Sequence, residues 1–220
     1  MKRILLMIMI AAMPFSKVCC QNEWERPEIK TETPEGKAGK EKKHKKAEPE
    51  DSKYMQGSVT ENAGKVEWTC SFDVPSKSSQ ELYDTALAHL LRFVKQENQL
   101  PESNVSMVNK SRHMIVASVS EWLVFKSSFI SLDRARLNYV LVVTCSDNHV
   151  DVCMRNINYR YTEDTNKGEI RIQAEESIND KNALNRKGTK LVPGWAKFRK
   201  KTIDRKDEVF GEIKKLFLNK

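Results

Sequence analysis

The sequence predicts an α+β domain: a five-stranded antiparallel sheet with both helices on one face. Three observations carry this reading. Residues 65–74 alternate apolar and polar without a break. Two stretches have helical spacing, one just after that first strand and one at the end of the chain. Four strand-like segments lie between them. Strands grouped between flanking helices give a sheet with its helices layered on one side.

The first strand reads "KVEWTCSFDV", with Val66, Trp68, Cys70, Phe72 and Val74 on one face and Lys65, Glu67, Thr69, Ser71 and Asp73 on the other. That is a half-buried strand, open to solvent on one side, and Pro75 ends it. Ser78 then caps a helix, and Glu81 three residues later completes a capping box. Tyr83, Ala86, Leu87, Leu90, Leu91 and Val94 are spaced as its buried face, and the helix stops before Pro101. Strands follow over 104–109 and 113–126, with Ser111 and Arg112 in the turn between them.

"SSFISLDRAR" reads as a loop or short helical turn, and a hairpin comes next. In "LNYVLVVTC", Leu137, Tyr139, Leu141, Val143 and Cys145 share a face; Val150, Val152 and Met154 return on the same face. Ile157, Tyr159 and Tyr161 have the other parity, which a bulge near Arg155–Asn156 would reconcile. "EIRIQ" suits a short strand end, and 174–193 reads as loop with a helical turn.

The last helix contains the basic run "PGWAKFRKKTIDRKDEVFGEIKK". At about 100° per residue, Trp195, Phe198, Ile203, Val209, Phe210, Ile213, Leu216 and Phe217 fall within an arc of about 140°. Most of the lysines and acids lie outside it, so this is a core-packed helix with a mixed-charge wet face. Arg199 and Lys206 fall on the apolar arc. Either they snorkel at its rim or they meet a carboxylate or ligand; Asp133 or Glu121 is the expected partner of Arg199.

Upstream of the domain, Lys2 and Arg3 precede an unbroken apolar run over 4–13. The run is shorter than the ~20 residues that span a bilayer and has the pattern of a secretory signal peptide. Val18 and Cys20 occupy the small-residue positions, so cleavage is expected after Cys20, and the chain is expected to be exported, periplasmic or secreted. A lipid anchor on Cys19 or Cys20 is the alternative, but Lys17 spoils the motif. Residues 21–58 are rich in Lys, Glu, Pro and Gly, with nine acids and nine bases, and read as a disordered mixed-charge linker. The folded domain is expected over 59–220.

The formal net charge of +8 is unevenly placed: residues 186–220 hold 12 bases against 4 acids, while 59–185 hold 14 against 17. Three cysteines lie beyond Cys20. If Asp147–Asn148 is a two-residue turn, Cys145 pairs with Val150 and Cys153 with Val142. The two sulfurs then point to opposite faces, which predicts no disulfide.

Three separated segments, "GKVEWTCSFDVPSKSSQELYD", "FKSSFISLDRARLNYVLVV" and "AEESINDKNALNRKGTKLVPGWAKFRKKTIDRKDEVF", resemble an uncharacterised bacterial domain-of-unknown-function family of exported proteins. The likeness spans roughly residues 54–218, with Trp195 in "PGWAKF" where relatives are expected to carry Tyr. The resemblance implies a TATA-binding-protein-like fold, in accord with the strand order. It implies no activity, because shape does not specify function.

Nothing in the sequence points to catalysis. His44, His89, His113 and His149 are scattered, and no nucleophile-elbow, zincin or phosphate-loop motif occurs. Asp133 and Asp180 suit turn and capping roles. No cofactor or metal is implied. Nucleic acid is not the expected partner either: such saddle folds grip a minor groove with apolar wedges on the open face, where the first strand carries Glu67 and Asp73. The expected role is a non-catalytic interaction module for an envelope protein, glycan or small ligand, acting through the open sheet face or the "SLDRAR" segment. Arg199, Lys206, Asp133 and Arg136 are the residues singled out for interaction or structural ion pairing. The alternatives are an envelope hydrolase with a dispersed site, or a lipid-anchored surface protein.

Overall fold

The period-two stretches assemble into one antiparallel sheet. The computed structural model describes residues 51–127, 132–162 and 168–218. The expected signal peptide, its cleavage point after Cys20, both candidate lipidation cysteines and residues 21–50 of the expected linker lie outside these residues. A one-turn 3-10 helix (Ser52–Tyr54) comes first, then a small hairpin of β1 (Glu61–Asn62) and β2 (Lys65–Val66). The main elements are β3 (Trp68–Asp73), α1 (Ser79–Phe93), β4 (Asn104–Asn109), β5 (Met114–Ser127), β6 (Leu132–Ser146), β7 (His149–Tyr161), β8 (Ile170–Gln173), α2 (Ala174–Ser177), α3 (Asp180–Ala183) and α4 (Pro193–Leu218). The strand order is β3-β7-β6-β5-β4, with β8 paired to the far half of β7.

Alternation decides which face is closed. Ile115, Ala117, Val119 and Leu123 on β5, the Ala135-to-Cys145 series on β6, and Val150, Val152 and Met154 on β7 are buried beneath the helices. α1 packs on β5 and β6, and α4 packs on β5. Phe198 anchors the start of α4, with its ring 4.7 Å from Phe125, 5.0 Å from Tyr159 and 5.4 Å from Tyr161. The β6–β7 hairpin has the expected register, Cys145 opposite Val150 and Val142 opposite Cys153. Its parity change occurs where the register slips between Asn138 and Val140, with Asn156 at a left-handed φ of 56°. Cys70, Cys145 and Cys153 are free thiols. Burial pushes Cys145 and Cys153 up to about 11, so both stay protonated at neutral pH.

Several expectations are corrected. Residues 51–58 belong to the domain and not to the expected linker, since Asp51, Tyr54 and Met55 bond to α4. The stretch 65–74 breaks at Glu67, whose amide turns back to Thr60 O (3.0 Å) while Trp68 Nε1 donates to Ser58 O (2.9 Å). β8 gives the main sheet a sixth strand. The described part of "SSFISLDRAR" is strand, not loop: Ser127 ends β5 and Leu132 begins β6. Charge hid this period, because only the small Ala135 marks the buried side between Arg134 and Arg136.

The capping box at Ser78 and Glu81 forms as expected. On α1, however, Leu91 is 52% exposed, while Leu82 and Phe93 are buried. Counted from Leu82, Leu91 lies about 180° round the helix and Phe93 about 20°. Phe93→Ala is therefore expected to lower stability by about 3–5 kcal/mol and Leu91→Ala by less than about 0.5 kcal/mol, as read by urea denaturation.

Candidate functional site

The helices close one face of the sheet, and chemistry gathers on the other. Pairing sets Trp122 on β5 opposite Arg136 on β6, Arg136 opposite Arg160 on β7, and Arg160 opposite Arg171 on β8. Their neighbours along each strand, Glu121, Leu123, Ala135, Leu137, Tyr159 and Ile172, are buried, so the four side chains stand on the open face. The next row, two residues along each strand, holds Ser120, Asn138, Asn158 and Gln173.

These rows enclose a cavity of about 260 Å³ walled at its lip by Glu102. Arg136 Nη1 donates to Glu102 at 3.0 Å, and Arg160 Nη1 reaches Glu169 at 3.5 Å. The Arg134 guanidinium carbon lies over the Trp122 ring, 3.7 Å from its centroid. Asn138 Nδ2 donates to Asn158 Oδ1 at 3.1 Å. Two buried atoms in this cavity, Arg136 Nε and Ser120 Oγ, have no hydrogen-bond partner. Like charges directly opposite one another destabilise a sheet, and guanidinium groups cannot shed theirs. The row is thus a positive site whose charge Glu102 and Glu169 offset only in part.

The opposite end of the same face is acidic. Asp73 on β3 and Asp151 on β7 flank His149, at 2.6 Å from Nδ1 and 3.4 Å from Nε2, and Ser71 Oγ donates to Asp151. The hydrogen bond to Asp73, with Asp151 nearby, raises the His149 pKa. The open face therefore runs from acidic to basic along the strands.

Of the four residues singled out from sequence, only Arg136 lies on this site. Arg199 is fully buried and structural. It donates to Tyr54 O and Ile178 O at 2.6 Å, and to Met55 O and Asp180 Oδ1 at 2.7 Å. Its expected partners are taken by other bases. Asp133 accepts from Lys197 Nζ at 2.9 Å and Tyr161 Oη at 3.0 Å, and Glu121 accepts from Arg205 Nε at 2.8 Å and Nη2 at 2.9 Å. The expectation failed because Asp180 sits in α3, where the sequence shows no pattern that brings it to α4. Lys206 snorkels, with its ammonium paired to Asp207 and 5.9 Å from the Trp68 ring.

Sequence reasoning missed Trp122, Arg160, Arg171 and the amide row. Outward parity was readable on each strand, but their alignment depends on register across four strands. Among the described residues, no group of three His, Cys, Asp or Glu side chains is placed to hold a metal ion, and no helix is long and apolar enough to cross a membrane.

Arg199→Met should strip three carbonyls and Asp180 of their donor and lower stability by about 3 kcal/mol or more, measured by chemical denaturation. The histidines give opposite pH signatures. His149 has its folded pKa raised above 6.5, so its stabilisation is complete below that pH and is lost as pH rises through the folded value. His89 has its pKa lowered from 6.5, mainly by burial. Its contribution is complete above 6.5 and falls as pH drops towards the folded value. His149→Asn is expected to flatten the alkaline limb of the stability–pH profile, and His89→Gln the acid limb, in urea melts across about pH 5 to 8.5.

A family model described as a domain of unknown function (DUF4468) with TBP-like fold matches residues 68–160. A crystal structure of a DUF4468 family protein from Bacteroides ovatus superposes with a TM-score of 0.71 at 36% identity, over 77% of this chain and 96% of that one. A crystal structure of a TBP-like protein from Parabacteroides distasonis gives a TM-score of 0.59 at 21% identity, over 73% of this chain and 97% of that one, and shows the fold alone. No curated protein matches. The family-model match, with 36% identity and a TM-score of 0.71 to a member covered over 96% of its length, places this chain in the DUF4468 family of TBP-like domains of unknown function.

Proposed function

We propose that this protein is an exported, non-catalytic binding module that holds an anionic group of its ligand on the open sheet face. The observation that carries the proposal is the cross-strand row of Arg136, Arg160 and Arg171, with the unpartnered Arg136 Nε buried in the cavity below it. Guanidinium forks match carboxylate and other oxyanions with paired hydrogen bonds. Glu102 and Glu169 offset part of the row's charge, and the remaining guanidinium donors face the open side, which suits a site for one anionic group. Export rests on the charged start and short apolar run at the N-terminus.

An extended polyanion such as nucleic acid fits poorly. Asp73 and Asp151 stand on the same face and would repel a phosphate chain laid along it. The wet side of α4 interleaves acids with its lysines, and Arg199 is buried.

Sulfate added at constant ionic strength should raise the melting temperature of the wild type. The double variant Arg136→Gln/Arg171→Gln should lose that response. Without sulfate, Arg171→Gln alone should melt no lower than the wild type, because it removes a like charge from the row. An equal sulfate response in wild type and double variant would place anion binding elsewhere and sink the reading.

A further inference from the structure

We infer that the ligand group is a hydroxylated acid of sugar size: one hexuronic acid unit, its carboxylate on the arginine row and its hydroxyls on the amide row. This rests on the anion-binding reading above and adds the ligand's chemical class.

An anion alone uses only donors, because a carboxylate or sulfate can only accept. The arginine row supplies donors alone. The neighbouring row is different. Ser120 Oγ, buried and unpartnered, can both donate and accept. Asn138 spends one amide hydrogen on Asn158 Oδ1. Among the described residues no group donates to its amide oxygen, and its second hydrogen remains. Glu102, at the lip, is an acceptor set beside the arginines. Amide, hydroxyl and carboxylate groups together suit hydroxyls, each of which donates and accepts.

Spacing points the same way. The two rows are two residues apart along each strand, about 6.8 Å, which is the breadth of one sugar ring. The cavity of about 260 Å³ has room for one such ring. A glycan with a single terminal uronic acid satisfies all of these constraints.

Calorimetric titration with glucuronate, acetate, sulfate and glucose tests this on the full chain. The expected result is glucuronate binding at least tenfold tighter than acetate, with no detectable glucose binding. Asn138→Ala should bring glucuronate down to the acetate level while sulfate binding stays within twofold, and Arg136→Gln should abolish both. Acetate or sulfate binding as tightly as glucuronate would overturn the sugar assignment and leave the anion site standing. Glucose binding as tightly as glucuronate, or no anion binding at all, would overturn both. A polyuronate or single-stranded DNA binding more tightly per anionic unit than glucuronate would overturn the single-unit assignment. The wild-type comparisons decide the matter even if a variant folds poorly.

Discussion

The Glu121 carboxylate is the point on which the arrangement of layers depends. It is 1% exposed on the covered face of β5. Donors reach it from three parts of the fold: Asn98 and Gln99 after α1, Tyr139 on β6, and the Arg205 fork on α4. Burial, with this carboxylate beside it, pushes the Tyr139 hydroxyl far above its ordinary pKa, so it remains a donor. A buried carboxylate without its partners would be strongly unfavourable. The requirement to satisfy Glu121 therefore fixes where α4 crosses the sheet and how the segment after α1 closes over its edge.

With that constraint met on one side, the other side is released from packing. Trp122 and Leu123 follow Glu121 on β5; one joins the open face and the other the core. The arginine row stands where no helix needs an apolar partner, so charge accumulates there without an interior to disrupt. Arginines opposed across neighbouring strands are locally unfavourable to stability, and Glu102 and Glu169 offset part of that cost.

Local chemistry was legible in the sequence wherever it repeats within one element. The capping box at Ser78, the apolar arc of α4, the hairpin at Asp147–Asn148 and the bulge near Arg155–Asn156 all involve residues that signal to near neighbours. Pairings between distant elements were not legible. Arg199 could be seen to occupy a buried arc, but its partners come from residues 54, 55, 178 and 180, and no periodicity links those to α4. Arg205 lies just outside the apolar arc, a rim position where a long side chain can turn inward as easily as outward. The candidate site was least legible. The open face was judged from the first strand, which lies towards its acidic end, and the arginines sit on strands whose relative register only the fold reveals.

The cluster around Arg199 has a mechanical consequence. Asp51 pairs with Lys200, Lys53 with Asp204 at 2.5 Å, and Tyr54 Oη donates to Asp204 at 2.9 Å. Arg199 grips the carbonyls just beyond. A pull applied at Asp51 therefore meets α4 first, through several contacts side by side, and does not act directly on β3 at the edge of the sheet. Contacts that share a pull must break together and not in sequence. The segment 51–55 thus works as a clamp that shares load across α4 and keeps it off the sheet.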